Sequence, residues 1–351
     1  MRQAFVSDLK EGDVLARPIF SSNGNILLGK DIVLTPTYIK RLEVLGITTV
    51  YIEDELFEDI MIDDILSDQT RLQAIKVTRD CLDMVKMGKD FDGTNIKIII
   101  ESLLEEVLSK ERVLFSLNDI FTRDDRVFSH SLNVCILSII IGIDYRLNKE
   151  KLFDLAIGAL LHDIGLACLG PEAIQNKDLS AKENARNYQH HCLLGFNLLR
   201  KKREFSLLSS HVALQHHERL DGQGYPRGLK GKEVLFYPRI VSICNIYNNL
   251  IQSDQNLLPH EACEVVMGLC GRYFDQEILR HFLRNVAIYP TGVSVRLNTG
   301  EVGVVVDQNL DLPQRPVVRV IREETEEKVA RVLKEYDLVQ DTTVFIEDVV
   351  R

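Results

Sequence analysis

The stretch "HHERLDGQGYP", His216 to Pro226, sets two adjacent histidines and a glutamate directly before a glycine-bearing loop. Imidazoles can pack, shuttle protons or grip a metal. Of the nine histidines, seven fall between His130 and His217, so they are clustered along the chain. The segment "LFDLAIGALLHDIG" is apolar nearly all round, as a buried helix is, and His162 and Asp163 stand at its end. A carboxylate there needs a partner, because burying it alone is costly. That partner is a hydrogen-bonding or ionic neighbour, or a metal ion, and the dipeptide alone does not choose between them. "RVFSHSLNVCILS" places His130 early in an apolar helix, and "NYQHHCLLGFNLL" offers His190 and His191. Those two lie about 100° apart on a helix, so only one can face a given site. Imidazoles and a carboxylate from several buried helices form the mixed N/O set that Fe, Mn, Zn or Ni accepts. Two such metals sharing one aspartate would activate water and clamp a phosphoryl group.

The elements that would carry these residues are mainly helical. Residues 116–288 scan as helix, punctuated at Gly165, at Gly170-Pro171 and at the "DGQGYP" loop. Residues 1–52 read as a small α/β unit. "DVLARPIFSSNGNILL" suggests two short strands around an Asn23-Gly24 turn, and "TPTYIKRLEVLG" a helix capped by Thr35, with Pro36 first and Gly46 after its end. Residues 53–115 are helical by period, break at "FDGTN", and are expected to be a connector whose helices pack on the next domain. From 289 to 351 the pattern turns to alternating strands, a β-rich tail. The fold class expected is mainly α: a helical domain between a small N-terminal α/β unit and a β-rich C-terminal segment.

Composition narrows the function. A net charge of −10 argues against binding a nucleic-acid polymer. The apolar run Val134–Ile143 is about half of what a bilayer span requires, and the first residues lack the apolar stretch of a secretory signal. A cytoplasmic protein with no membrane partner is expected. The seven cysteines, at 81, 135, 168, 192, 244, 263 and 270, form no CxxC and read as reduced, buried small hydrophobes.

His130, His162-Asp163 with Ile164-Gly165, His191 four residues before Gly195, "HHE" at 216–218 and "DGQGYPRGLKG" at 221–231 together resemble the HD-GYP family. These are metal-dependent phosphohydrolases of the HD superfamily whose best-known substrate is cyclic di-GMP. The resemblance runs from about 118 to 255. It implies two divalent metal ions, Fe or Mn. His130, His162 and Asp163 would hold the first, with a later residue at Asn245 completing it. Asp163 would bridge to a second held by His191, His216 and His217, so that His162 and Asp163 are the expected catalytic pair. Gly222, Gly224, Tyr225, Pro226 and Arg227 would form a loop at the mouth of the site, also a surface for signalling proteins. Arg219, Lys230 and Arg239 lie near that loop as possible attractors of phosphate, while His190, His211, His260 and His281 fall outside the motif.

Several positions depart from the family pattern. Where the family has aspartate in "AD.YD", this chain has "VSICNIYNN", with Asn245 at the ligand position and Asn249 after it. An amide carbonyl brings no charge and binds metal more weakly, so the first site is expected to be weak or empty. Leu166 replaces the lysine of "HDIGK", and "SDQNLLPHE" lacks the arginine of "SD.PYR". Arg126 stands where a third metal would need glutamate. Two expectations follow: a phosphodiesterase cleaving cyclic di-GMP to a linear dinucleotide or GMP, or a catalytically degenerate module that binds a nucleotide or a partner protein. A helical scaffold without a site is the blander third.

Overall fold

The computed structural model describes residues 1–20, 26–60, 62, 64–110, 114–116, 126–169, 182–252, 257–323 and 330–350. Two compact units emerge. One combines Met1–Asp64, Arg112–Arg126 and Val286–Arg351; the other combines Ile65–Glu111 with Val127–Asn285. Elements are numbered in chain order.

In the first unit, β1 (Arg2–Phe5) pairs antiparallel with β4 (Thr49–Ile52), and β2 (Ile19–Phe20) with β3 (Ile26–Leu28). The expected hairpin is therefore present in its strands, and its Asn23-Gly24 turn lies outside the described residues. Thr35 caps α1 (Pro36–Val44) by accepting from the Tyr38 amide, and Gly46 turns the chain out at φ +71°. Leu15, Ile19, Leu34, Leu42 and Val50 close over a small core. The tail forms β5 (Ser294–Leu297), β6 (Val302–Asp307), β7 (Val317–Glu323), β8 (Ala330–Asp337) and β9 (Ile346–Val349). They make one antiparallel sheet in the order β8-β7-β6-β5-β9. The two ends of the chain meet inside this unit. The Gln3 amide donates to the Gly292 carbonyl at 2.9 Å, and Arg319 grips Asp59 through two bonds of 2.7 Å. Such bidentate pairing fixes geometry as well as charge.

The second unit is helical. It holds α2 (Asp68–Lys86), α3 (Gly93–Ser109), α4 (Arg126–Asp144), α5 (Lys149–Leu160), α6 (Lys182–Leu199), α7 (Leu207–Gln215), α8 (Phe236–Gln252), α9 (Pro259–Gly268) and α10 (Gln276–Arg284). A short 3₁₀ turn, Ile164–Cys168, follows α5. Ser67, Asp92, Asn148, Ser206 and Asp275 each accept a hydrogen bond from a backbone amide of the first turn they precede. These caps satisfy donors that a helix start leaves open. The apolar faces of α4 and α5 are buried throughout, with Val134, Leu137, Ile139, Leu155, Ile157 and Leu160 at or below 1 % exposure. No helix among the described residues is long and apolar enough to cross a membrane. The cysteine expectation needs one correction: Cys168 is exposed and Cys270 half-buried, while the other five are buried.

Candidate metal centre

Five of the histidines come together. The rings of His130 and His162 lie 5.3 Å apart, His162 and His216 5.0 Å, His191 and His216 5.4 Å, and His191 and His217 5.2 Å. They come from α4, the end of α5, α6 and the end of α7. Asp163 sits among them. Its Oδ2 is 3.3 Å from His162 Nε2, while its Oδ1 is 3.4 Å from His191 Nε2 and 3.3 Å from His216 Nε2. One carboxylate thus faces two groups of imidazoles with separate oxygens. Its side chain is 17 % exposed where those of His162, His191 and His216 are fully buried, so the cluster opens to solvent at the carboxylate.

The outer nitrogens are already in use. His162 Nδ1 donates to the Ala159 carbonyl at 2.8 Å and His191 Nδ1 to Tyr188 at 2.6 Å. His216 Nδ1 is shared between Val212 and Ala213, each at 3.1 Å. A carbonyl can only accept, so each Nδ1 carries a proton and each ring turns its Nε2 inward. This is how metal-binding imidazoles are oriented. Buried Nε2 of His130, His162 and His217 and Oδ1 of Asp163 have no hydrogen-bond partner. The Nε2 atoms of His191 and His216 face each other at 3.4 Å. Ring nitrogens turned toward one another, with close but misaligned contacts to a carboxylate, are what a shared cation would resolve. The donor set fits a metal.

Electrostatics point the same way. Burial lowers the pKa of His130 and of His216 to about 4, and that of His217 well below the ordinary value. Burial also works against a charge on His191, yet Asp163 and Cys192 beside it raise its pKa to about 10. Asp163 resists its own burial through the neighbouring His162 charge and the imidazoles around it, and stays ionised well below the usual carboxylate range. These shifts belong to one cluster: Asp163 stays negative, His191 opposite it is held positive, and burial keeps His130, His216 and His217 neutral. A divalent cation would replace that single proton.

Two close approaches set these distances. A Cβ on Gly165 would fall 1.9 Å from the His191 carbonyl oxygen and 2.7 Å from the Gly195 nitrogen. The 3₁₀ turn after His162-Asp163 thus lies directly against the backbone of α6 at His191. In the loop, a Cβ on Gly224 would meet the Arg219 nitrogen at 2.4 Å and the Glu218 Cα at 2.6 Å, and Gly222 holds φ +77°. The loop folds back on "HHE", the Tyr225 amide donates to the His217 carbonyl at 3.2 Å, and the Tyr225 ring stacks on His217 at 4.6 Å. Pro226, after a cis peptide bond, and Arg227 are exposed at its rim.

Glu218, for which the sequence suggested no task, is 2 % exposed and accepts from the amides of Arg227 at 2.8 Å and Leu229 at 2.9 Å. It pins the loop through both carboxylate oxygens. Glu218→Gln turns one acceptor into a donor facing an N–H, a loss of roughly 1–3 kcal/mol. Amide exchange at Arg227 and Leu229 should quicken, with metal content unchanged. Unaltered exchange at those two amides would refute the pin.

The other expected positions divide. Asn245 is 2 % exposed, with its Oδ1 accepting from Asn249 at 2.7 Å. The residue bonded to His130 Nδ1 is Asn248, through Oδ1 at 2.7 Å. Leu166 is half-buried on the 3₁₀ turn. Arg219 is committed to Asp221 and lies over Tyr273 at 3.9 Å, and Arg239 pairs with Asp275 at 2.9 Å. Both are drawn into structural pairs. His190 is exposed and His281 bonds Asp144 at 2.5 Å. Cys192 was read as a plain buried hydrophobe, yet its Sγ lies 3.4 Å from His191 Nε2. The ligand atoms of His191, Cys192, His216 and His217 lie within 4.8 Å of one another, and so do those of His130, His162 and Asp163.

Residues 116–278 match the family described as HD domain, and residues 294–351 the KOW domain associated with HD domain. A cyclic di-GMP phosphodiesterase of Pseudomonas aeruginosa is 29% identical over 257 residues, 72% of this chain and 61% of that protein. A cyclic di-GMP phosphodiesterase of Thermotoga maritima is 27% identical over 53% of each chain. A 3'3'-cGAMP-specific phosphodiesterase of Vibrio cholerae is 26% identical over 58% of this chain and 38% of its own. A solved HDG"Y"P protein from Bdellovibrio bacteriovorus superposes with a TM-score of 0.48 at 18% identity, covering 80% of this chain and 97% of that one. The match spans 61% and 53% of the length of the first two relatives. Residues 116–278 thus form an HD domain, and the relatives that match this chain are named cyclic-dinucleotide phosphodiesterases.

Proposed function

We propose that this chain is a metal-dependent phosphodiesterase acting on a cyclic dinucleotide, cyclic di-GMP first, and releasing a linear dinucleotide or GMP. The observation that carries the reading is the Asp163 carboxylate, one oxygen turned to His162 and the other to His191 and His216, beside inward Nε2 atoms locked by backbone carbonyls. His130, His162 and Asp163 would hold one divalent cation, and His191, His216 and His217 a second, with Asp163 shared. Two cations so placed supply an activated water and a clamp for the phosphoryl oxygens. The protein's own part is to turn five rings inward, hold them in register and leave the carboxylate edge open to substrate. Tyr225, stacked on His217, and exposed Arg227 would border the bound dinucleotide.

A second reading draws on Asn245 and Leu166. Asn245 brings no charge to the first cation and already accepts from Asn249, and Leu166 offers no cation to a phosphate. Preorganised positive charge is a large part of phosphoryl-transfer catalysis. The chain would then bind a cyclic dinucleotide, or a signalling protein at the loop, without cleaving it. Metal content after purification without oxygen, followed by a cyclic di-GMP hydrolysis assay, separates the two. Two transition metals per chain with turnover supports the enzyme. Tight dinucleotide binding with no product under Fe, Mn, Zn or Co overturns it in favour of the second.

A further inference from the structure

We infer that Cys192 is a metal ligand in this protein. Its thiolate joins His191, His216 and His217 on one cation and gives that position a sulfur donor. The inference rests on the reading above that those three histidines hold a metal.

The argument is geometric. His191 and Cys192 are consecutive on α6 and would ordinarily diverge by about 100°. Here the bond from His191 Nδ1 to the Tyr188 carbonyl swings the ring so that Nε2 lies 3.4 Å from Cys192 Sγ. The same Nε2 is 3.4 Å from His216 Nε2. In a tetrahedral site, metal–nitrogen bonds of about 2.0–2.1 Å and a metal–sulfur bond of about 2.3 Å put neighbouring nitrogens about 3.3–3.4 Å apart, and sulfur about 3.5–3.6 Å from nitrogen. The observed separations are close to the edges of such a polyhedron. Cys192 is fully buried, and the unpartnered, buried Nε2 of His162 lies in the adjoining half of the same cluster. The remaining buried cysteines sit apart from any such group: Cys81, Cys135, Cys244 and Cys263 join no set of metal donors among the described residues.

Coordination breaks the S–H bond, forms the S–metal bond and releases the proton to solvent, with no change of oxidation state. The added negative charge offsets part of the cation's, and a soft donor favours Fe(II), Co(II) or Zn(II) over Mn(II) at this position. Asp163 Oδ1, at 3.3–3.4 Å from the same two imidazoles, remains available as a further, shared ligand.

Cobalt(II) titrated into the full-length apoprotein reads the inference directly, without reference to catalysis. Visible d–d bands report cobalt on the imidazoles, and a thiolate-to-cobalt charge-transfer band in the near ultraviolet reports sulfur. Cys192→Ser and Cys192→Ala should each keep the d–d bands and lose the charge-transfer band, with cobalt affinity weaker by about tenfold or more. Wild-type protein should also bind cobalt in marked preference to manganese, a preference the variants narrow. Bands of d–d type without a charge-transfer band in the wild type, or one that persists in both variants, overturn the role of Cys192 and leave the histidine site standing. No d–d bands at all overturn the metal reading and Cys192 with it. Matching circular dichroism of the variants and the wild type guards against unfolding, and a C168S background removes the exposed thiol as a source of the band.

Discussion

Replacing Gly165 with alanine is expected to disable the histidine cluster without altering any of its donors. The new Cβ would stand 1.9 Å from the His191 carbonyl oxygen and 2.8 Å from its carbon, distances that only backbone movement can relieve. Overpacking of an interior typically costs roughly 1–3 kcal/mol, and a clash with backbone belongs at the upper end. The two segments forced apart carry His162-Asp163 on one side and His191 on the other. Separation by even about 1 Å would strip Asp163 Oδ1 from the His191 side, where it now lies at 3.4 Å. Thermal stability and metal uptake should therefore fall together, uptake by at least about tenfold. Gly142→Ala is the contrast. Its Cβ would meet the ends of the Leu152, Leu155 and Leu147 side chains, at 2.7, 3.1 and 3.4 Å, which can rotate away. A Gly165→Ala protein that melts and binds metal like the wild type would show that the 3₁₀ turn and α6 are not held in register by this contact.

That contact also marks the limit of what the sequence disclosed. The motif "HDIG" flagged Gly165, and the histidine spacing flagged six donor residues, because those features are local and chemical. The reason for the glycine is a backbone neighbour 26 positions away, which no local pattern records. The choice of His191 over His190 was open on a helix and is settled by which ring finds the Tyr188 carbonyl behind it and Asp163 in front. Glu218 and Asn248 were invisible for a related reason: their tasks are hydrogen bonds to a loop amide and to a ring nitrogen across the fold. Cys192 is free and buried, as the sequence suggested, and the position of its Sγ against the imidazoles is what no local pattern records. The strands at both ends were legible from alternation. Their union in one compact unit was not, since it rests on single long-range pairs such as Arg319 with Asp59.

Asp163→Asn and Asn245→Asp change charge in opposite senses within one cluster, and metal binding should follow in opposite directions. Asp163→Asn keeps the shape of the side chain and removes the negative charge on which three imidazole nitrogens, at 3.3–3.4 Å, converge. An amide also presents an NH₂ to lone pairs that want a cation. Because the carboxylate faces both donor groups, uptake should fall at both, by about a hundredfold or more given that outer-shell losses alone reach that size. Any cyclic di-GMP hydrolysis should drop by at least about 10²–10³. Asn245→Asp adds a carboxylate on buried α8 beside His130, where the Asn249 amide still donates to it. The first cation should bind about tenfold tighter. The gap in melting temperature between metal-loaded and metal-free protein should then widen over the wild type, because only the loaded form gains the full benefit of the new charge. The two variants discriminate between the roles of the cluster. If Asn245→Asp tightens metal and raises turnover, the asparagine is a brake on a working enzyme. If it tightens metal and no product forms, the missing cations at Leu166 and in "SDQNLLPHE" are what hold the chain at binding. If it leaves affinity unchanged, residue 245 lies outside the coordination sphere and the first site is His130, His162 and Asp163 alone.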